Sequence, residues 1–244
     1  MIVLAIALIA WGPGRALAEE GRELLVVRQS QPYPSWMREF GWVDIRPFSD
    51  STKRFSIEDK DLVLSSQGDS FLIGRRLEEE ELRGLSDRPF LRFVVRVEAV
   101  PEGARLEGET RDDAAFRLYV LYNRSPMEAL VYVWSWELPV GQWSRRKNGV
   151  LANYSGVHRK AFGSGRPPGQ WWTVEVDLRR DHSSRFPGRP PGTPIALALK
   201  SDSNDTKNTQ SRSRLRSIHF NRASLRDQGL ADGAPYAGTV LRYR

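Results

Sequence analysis

Apolar and polar residues alternate with a period of two through much of the chain, and this pattern constrains the fold more than any other feature. A clear example is FLRFVVRVE at residues 90–98. Similar runs recur at 116–122, 130–138, 172–179, 195–200 and 216–221. Because successive side chains of a strand point to opposite faces, each run predicts a half-buried β-strand.

Segments rich in Pro and Gly separate these runs. Two of them, FGSGRPPGQ and FPGRPPGTP, flank the strand predicted at 172–179 and are therefore interpreted as loops within one domain. The crossover helices of a parallel sheet are missing, and only LEEEELRGL at 77–85 indicates a helical turn or two. The pattern predicts an all-β fold, an antiparallel sandwich or barrel.

The first eighteen residues have the features of an export signal. An apolar stretch from Met1 to Trp11 is followed by a Pro-Gly break and an Ala-Leu-Ala sequence. We predict a signal peptide at 1–18, a single mature domain at 19–244, and a periplasmic or secreted location. The apolar stretch is too short to span a bilayer, so we expect no transmembrane segment after cleavage. An uncleaved anchor is the alternative.

The chain contains no cysteine and has a formal net charge of +7. The lack of cysteine excludes disulfides, thiolate metal sites and a cysteine nucleophile. The basic balance favours either anionic surfaces or solubility alone. The sequence SRSRLRS at 211–217 resembles a nucleic-acid-binding tract, but it enters a predicted strand of an exported protein. We therefore expect no nucleic-acid partner.

Four segments occur in an order typical of one bacterial family: DDAAFRLYV at 112–120, LVYVWS at 130–135, WWTVEVDLRRDHSSRF at 171–186 and ALKSDSNDT at 198–206. Over about residues 70–222 the chain resembles the domain-of-unknown-function 3047 (DUF3047) family of exported proteins. This resemblance implies a jelly-roll-like β-sandwich, similar to carbohydrate-binding modules, and no assigned activity. The chain departs from the family pattern at Ser201, Ser203 and Asn204, and at His182, where a Tyr is usual.

The polar segment SDSNDT at 201–206 is the most specific of these matches. Asp202, Asn204 and Thr206 alternate, so their side chains can project to one side of an extended segment. Oxygen ligands of this kind suit Ca²⁺, but the spacing does not match an EF-hand loop. Three interpretations stay open: a ligand-binding rim, a calcium site shared with other loops, and a turn held by Asx hydrogen bonds. We predict no obligatory cofactor.

Two further groups contribute candidate residues. Asp112 and Asp113 precede a strand that carries Arg117, and neighbouring strand residues face opposite ways, so at most one acid can pair with Arg117 on its own face. Tyr132, Trp134 and Trp136 fall on one face of the next strand, where aromatic rings either fill a core or stack on sugar rings.

Paired carboxylates suggest the alternative of an enzyme. Glu175 and Asp177 share a strand face, as do the acids of some sandwich glycosidases. The third acid of that pattern is missing, because Arg179 and Arg180 follow. We therefore interpret the two acids as ion-paired with these arginines on a solvated face. The three histidines are isolated in sequence, which disfavours a zinc site.

Together, these features predict an exported, non-catalytic β-sandwich that binds a glycan or another polar ligand. A polysaccharide hydrolase or lyase is one alternative, and an accessory subunit with protein partners in the envelope is another. Seven residues make up the predicted ligand-binding site: Asp112, Asp113, Arg117, Trp134, Asp202, Asn204 and Thr206.

Overall fold

The computed structural model describes residues 22–26, 42–44, 55–82, 84–106, 111–124, 127–145, 156–167, 169–206, 209–225 and 239–242. The signal peptide predicted at 1–18 lies outside these residues. Among the residues described, no helix has the length and apolar character needed to cross a membrane.

Strands dominate the described chain. The first seven are β1 (Arg22–Val26), β2 (Trp42–Asp44), β3 (Phe55–Glu58), β4 (Asp61–Gln67), β5 (Ser70–Arg76), β6 (Phe90–Ala99) and β7 (Ala114–Arg124). The next seven are β8 (Met127–Ser135), β9 (Trp143–Arg145), β10 (Gly156–Ser164), β11 (Trp171–Asp177), β12 (Ala196–Asp202), β13 (Gln210–Asn221) and β14 (Thr239–Arg242). Two short helices are α1 (Glu79–Leu82) and α2 (Leu178–Arg185), and Leu85–Asp87 forms a 3-10 turn.

The strands form two sheets that pack face to face. The first sheet has the order β14-β11-β6-β13-β4-β3, with β1 also paired to β13, and the second has the order β2-β5-β12-β7-β8-β10-β9. This arrangement confirms the predicted all-β sandwich. Two pairs, β8 with β10 and β11 with β14, are parallel, which the antiparallel expectation did not include. The first of these arises because β9 lies between β8 and β10 in sequence, so that β10 returns in the direction of β8.

The core lies between the sheets and is built from the alternating residues. Phe93 of the first sheet contacts Phe116 and Phe162 of the second at ring-centroid distances of 5.9 and 5.3 Å. Trp134 extends this cluster, 5.8 Å from Phe162 and 5.5 Å from Trp172. All but the partly buried Trp172 are at most 2% exposed. The period of two therefore identified the inward faces of β6, β7 and β11 correctly.

Helix α2 is an element that periodicity did not reveal. Leu178 was expected to be the last inward residue of the strand at 172–179, but it begins the helix. The sequence LRRDHSSR contains a single apolar residue, so it has no apolar stripe to detect. The local cause is Asp177, whose side chain accepts a hydrogen bond from the backbone N–H of Arg180 at 3.0 Å and so caps the first turn.

Candidate functional site

Asp112 and Asp113 lie beside the turn formed by residues 203–206, at one end of the sandwich. The carboxylate of Asp113, which is fully buried, accepts hydrogen bonds from the backbone N–H groups of Asp205 at 3.0 Å and Thr206 at 2.7 Å. The hydroxyl of Thr206 donates to the same carboxylate at 2.6 Å. A carboxylate that accepts several N–H and O–H groups fixes the backbone around it. Asp113 therefore determines the conformation of residues 203–206, which we call the polar turn.

Asp112 and Asp202 are joined by Arg117. The Arg117 guanidinium donates to Asp202 at 2.9 Å and lies 3.9 Å from Asp112. Asp112 is also 3.4 Å from the guanidinium of Arg159, and the ammonium of Lys200 pairs with Asp202. All five side chains are buried. The prediction that at most one of the adjacent acids pairs with Arg117 is confirmed, because Asp113 faces the polar turn instead.

This buried group contains three cationic side chains and two carboxylates, and its hydrogen bonding is incomplete. Burial opposes the charge of Arg117, but Tyr119, Asp202 and Asp112 outweigh it and raise the pKa of Arg117 above its ordinary value. In the described part of the chain, Nε and Nη2 of Arg117 and Oδ1 of Asp202 have no hydrogen-bond partner. Buried polar atoms without a partner are uncommon and call for an explanation.

The tip of the polar turn faces solvent. Asn204 is exposed, and its side-chain amide donates to the carboxylate of Asp205 at 2.7 Å. Asp205 is half-buried, and burial together with the nearby carboxylates of Asp113, Asp112 and Asp202 raises its pKa. The turn thus presents a paired amide and carboxyl group whose backbone is held from below by Asp113.

Five buried serines join the two sheets beside this turn. Ser201 of β12 is 3.1 Å from Ser66 of β4 and 2.8 Å from Ser211 of β13, measured between hydroxyl oxygens. Ser203 donates to Ser66 at 3.0 Å, and Ser213 donates to the carbonyl of Ala115 at 3.4 Å. In this serine cluster the two sheets are joined by hydrogen bonds and not by apolar contacts.

The sequence prediction placed seven residues in one site, and the structure brings five of them into one network: Asp112, Asp113, Arg117, Asp202 and Thr206. Asn204 lies at the exposed tip of the same turn. Asp205, Arg159 and Lys200 were missed, although Asp205 and Lys200 stand inside the quoted family segment. Arg159 gave no sequence signal, because its position in the network depends on the pairing of β10 with β8.

Trp134 lies on the other face of the second sheet. Val133 pairs with Arg117 across β7 and β8, so Trp134 points the opposite way, into the core. Its side chain is 2% exposed, and its indole N–H donates to the carbonyl of Gly165 at 3.1 Å. Val131 and Val133 on the opposite face are also fully buried. The ring therefore presents no stacking surface to solvent, and Trp134 supports the sheet from behind.

The acids proposed for hydrolysis have other partners than expected. Glu175 was expected to pair with Arg179 and Arg180 on a solvated face, and this is wrong, because Glu175 is 9% exposed. Its carboxylate accepts from Arg92 at 2.9 Å, across the pairing of β11 with β6, and from the backbone N–H of Leu225. The sequence did not show which strand lies beside β11, and that neighbour provides the partner.

A second buried charged group lies where α2 closes the opposite end of the sandwich. Lys160 donates to both oxygens of Asp181 at 2.8 and 3.0 Å, and the hydroxyl of Tyr132 donates to Asp181 at 3.1 Å. All three side chains are at most 4% exposed. Burial lowers the pKa of Lys160, although the attraction of Asp181 partly offsets this effect. Asp181 thus anchors the helix to β8 and β10.

The arginines of the 211–217 tract lie on the outer face of the first sheet and are paired. Arg212 and Arg214 both donate to Glu58 and Glu98 at 2.7 to 3.0 Å, and Arg216 donates to Asp61 at 2.9 Å. Arg216 also lies over the ring of Trp171 at 4.0 Å. These partners neutralise the charge that made the tract resemble a nucleic-acid-binding segment.

Metal binding at the acidic end is not supported by the arrangement. Across the residues described, no group of three or more His, Asp or Glu side chains has the geometry to hold a metal ion. Asp112 and Asp202 are instead paired with arginine and lysine side chains, whose positive charges oppose the approach of a calcium ion.

Comparison with known proteins identifies the family. A model of the family described as proteins of unknown function, DUF3047, matches residues 46–219, which also takes in β3 and β4 before the predicted start near residue 70. No curated protein matches the sequence. A crystal structure of an agarase matches with 9% identity and a TM-score of 0.27, covering 75% of this chain and 25% of that one. The chain thus spans a quarter of that agarase, and a similarity this low supports no statement on activity. Because the family match covers more than half of the sequence, the protein belongs to the DUF3047 family.

Proposed function

We propose that this protein is an exported, non-catalytic binding protein that recognises a glycan or a similar polar ligand through the polar turn. Asn204 and Asp205 contact the ligand in this proposal. Asp112, Asp113, Arg117, Asp202 and Thr206 hold the turn in position. The observation that carries the proposal is the set of three hydrogen bonds by which buried Asp113 fixes Asp205 and Thr206.

Preorganisation is the physical basis of this proposal. A loop that is already ordered loses little conformational entropy when it binds, so more of the contact energy appears as affinity. Asn204 offers amide donors and an acceptor, and Asp205 offers carboxyl oxygens beside it. Such groups match the hydroxyls of a sugar. Among the described residues, Asp202 Oδ1 and Arg117 Nε have no hydrogen-bond partner, and both lie buried beneath the turn.

Hydrolysis receives no support from Glu175, or from Asp202 of the predicted ligand-binding site. Glycosidases place two carboxylates about 5 to 10 Å apart on either side of the scissile bond. Here Glu175 belongs to the first sheet and Asp202 to the second, and each carboxylate is buried with a cationic partner. Neither group is available to a substrate in solvent.

A binding experiment tests the polar turn. The purified protein is screened on an array of bacterial envelope polysaccharides, and the best ligand is measured by isothermal titration calorimetry. We expect Asn204→Ala and Asp205→Ala each to weaken binding at least tenfold, about 1.4 kcal/mol. Glu79→Ala, at an exposed position on α1, is the matched control and should leave the affinity unchanged.

Two results would contradict the proposal. One is wild-type affinity in both turn variants. The other is release of reducing ends from the bound polysaccharide, which would make the protein an enzyme. Detection of the mature protein in the cytoplasm, and not in the periplasm or medium, would contradict the proposed export.

A further inference from the structure

The end of the sandwich closed by α2 contains buried polar atoms without partners. Strand β7 begins at Ala114, paired with Asp202 beside the polar turn, and Tyr122 lies eight residues later, about 27 Å away along the strand. His182 of α2 is 2% exposed and Tyr122 is 8% exposed, with ring centroids 4.6 Å apart. Neither ring nitrogen of His182 nor the hydroxyl of Tyr122 has a hydrogen-bond partner among the described residues.

These groups are neutral hydrogen-bonding groups on an aromatic wall. Burial lowers the pKa of His182, so its imidazole is uncharged at neutral pH and has one donor and one acceptor nitrogen. Burial, together with Asp181 and Asp177, raises the pKa of Tyr122, so its hydroxyl stays protonated. Phe186 lies 4.7 Å from His182 and continues the aromatic surface. Neutral donors and acceptors beside aromatic rings are suited to the hydroxyls and apolar face of a sugar ring.

The loop of residues 187–194 covers these rings. Its residues are exposed from Pro187 to Thr193, and Gly192 rests directly on the buried pair. A Cβ atom at Gly192 would lie 3.2 Å from the ring of Tyr122 and 3.7 Å from Nε2 of His182. One layer of backbone therefore separates the unpartnered atoms from the outside.

A pocket of about 70 Å³ is lined in part by the same loop. Gly192 and Thr193 form one wall, and Arg88 and Arg179 supply two guanidinium groups. No acidic side chain of the described residues lines the pocket. Arg88 donates through Nη1 to the carbonyl of Gly84 at 3.3 Å, while its Nε is buried without a partner among the described residues. Arg179 donates to the carbonyl of Ser86. The pocket is thus cationic, and a guanidinium fits a carboxylate well.

We propose that this pocket binds a sugar acid, with the carboxylate at Arg88 and Arg179 and the ring hydroxyls reaching His182 and Tyr122 when the loop shifts at Gly192. The two halves of the site match the two halves of such a ligand. A neutral sugar lacks the group that the arginines select, and a simple carboxylate lacks the ring that the aromatic wall accommodates. The site lies at the opposite end of the molecule from the polar turn and does not depend on the function proposed there.

Calorimetric titration with glucuronate and galacturonate tests this site, with glucose and acetate as the matched ligands that lack one half each. We expect both sugar acids to bind at least tenfold more tightly than either control ligand. Arg179→Gln should reduce sugar-acid affinity at least tenfold. Arg180→Gln, on the same helix but outside the pocket lining, should leave the affinity unchanged.

Substitution of the unpartnered groups separates binding from structure. Tyr122→Phe and His182→Phe each remove polar atoms that have no hydrogen-bond partner among the described residues. Each substitution should therefore leave the melting temperature unchanged or raise it. We expect both variants to keep that stability and to lose at least tenfold in sugar-acid affinity. Should His182→Phe fail to fold, Arg179→Gln still decides the question.

Three results would overturn the proposal: no sugar-acid binding at millimolar concentration, equal binding of acetate, or unchanged affinity in Arg179→Gln. Loss of binding in Asn204→Ala or Asp205→Ala would place the sugar acid at the polar turn and would equally overturn it. The proposal for the polar turn and the proposal for the pocket are thus tested independently, because each has its own variants.

Discussion

At the scale of single residues, Gly163 shows how one missing side chain allows the aromatic core to form. A Cβ atom at this position would lie within 2.1 to 2.5 Å of three atoms of the Trp134 indole. The register of β10 against β8 also shifts between Ala161 and Gly163, and the indole packs closely against the backbone at that point. Glycine is required here by close approach and not by its backbone angles.

We therefore expect Gly163→Ala to destabilise the protein by about 1–3 kcal/mol, because the added methyl group overpacks a core that has no room to yield. Urea denaturation followed by tryptophan fluorescence measures the change. Combining it with Trp134→Phe should cost less than the sum of the two single substitutions, since the smaller ring frees the space. Additive losses would show that the two residues do not compete for it.

Sequence patterns identified individual residues unevenly. Asp112, Asp113 and Asp202 were identified because they cluster in short polar segments at strand ends, and such segments tend to meet at one end of a sandwich. The burial of Trp134 was not decided, because Val131 and Val133 on the other face of β8 are just as apolar. Both faces are buried, since Leu106 and Leu138 cover the valine side. That cover comes from loops whose path the alternation of strand residues does not predict.

At the scale of elements, one buried ion pair connects α2 to the second sheet. Asp181 is the helix residue that contacts both β8 and β10, through Tyr132 and Lys160. A pair this deeply buried adds little net stability compared with apolar residues of similar size, but removal of one partner leaves the other charge without compensation.

Asp181→Leu should accordingly cost about 3–5 kcal/mol in the free energy of unfolding, because Lys160 stays buried without its partner. The double variant Lys160→Met and Asp181→Leu should recover most of that loss. Denaturant titration of the two single variants and the double variant gives the coupling energy. A double variant as unstable as Asp181→Leu alone would show that the helix is anchored by other contacts.

The strands were easier to predict than the helix and the sheet order. Six predicted runs overlap β6, β7, β8, β11, β12 and β13, because the alternation with a period of two is visible in the sequence itself. The order of strands is set by pairings between distant segments, such as β13 between β4 and β6. Those pairings also bring Arg92 to Glu175 and Arg159 to Asp112. For this reason the sequence identified the acids but not their cationic partners.

At the scale of the whole molecule, the three histidines give the fold a common response to acid. Burial lowers the pKa of His158 and of His219 to about 4, with Arg145 and Arg185 contributing for the first and Arg92 for the second. Burial also lowers the pKa of His182. All three are neutral in the folded protein, whereas the unfolded chain takes up protons near the ordinary value of 6.5.

Stability should therefore be fully present above pH 6.5 and should fall as the pH decreases towards 4, by at most about 1.4 kcal/mol per pH unit for each histidine. Melting temperatures measured from pH 7.5 to 4.5 test this. His219→Gln should flatten the curve, because it removes one group that protonates on unfolding. A curve of unchanged slope in that variant would show that other groups dominate the acid response.

The serine cluster joins the two sheets by hydrogen bonds. The contribution of these bonds to stability depends on temperature in a different way from that of the apolar core. Apolar contacts weaken on cooling because their exposure carries a large positive heat capacity, whereas exposure of polar groups lowers the heat capacity. We therefore expect the hydrogen bonds between Ser66, Ser201 and Ser211 to lose less of their contribution on cooling than the aromatic core does. Near the freezing point, the sheets should then be held together most firmly beside the polar turn.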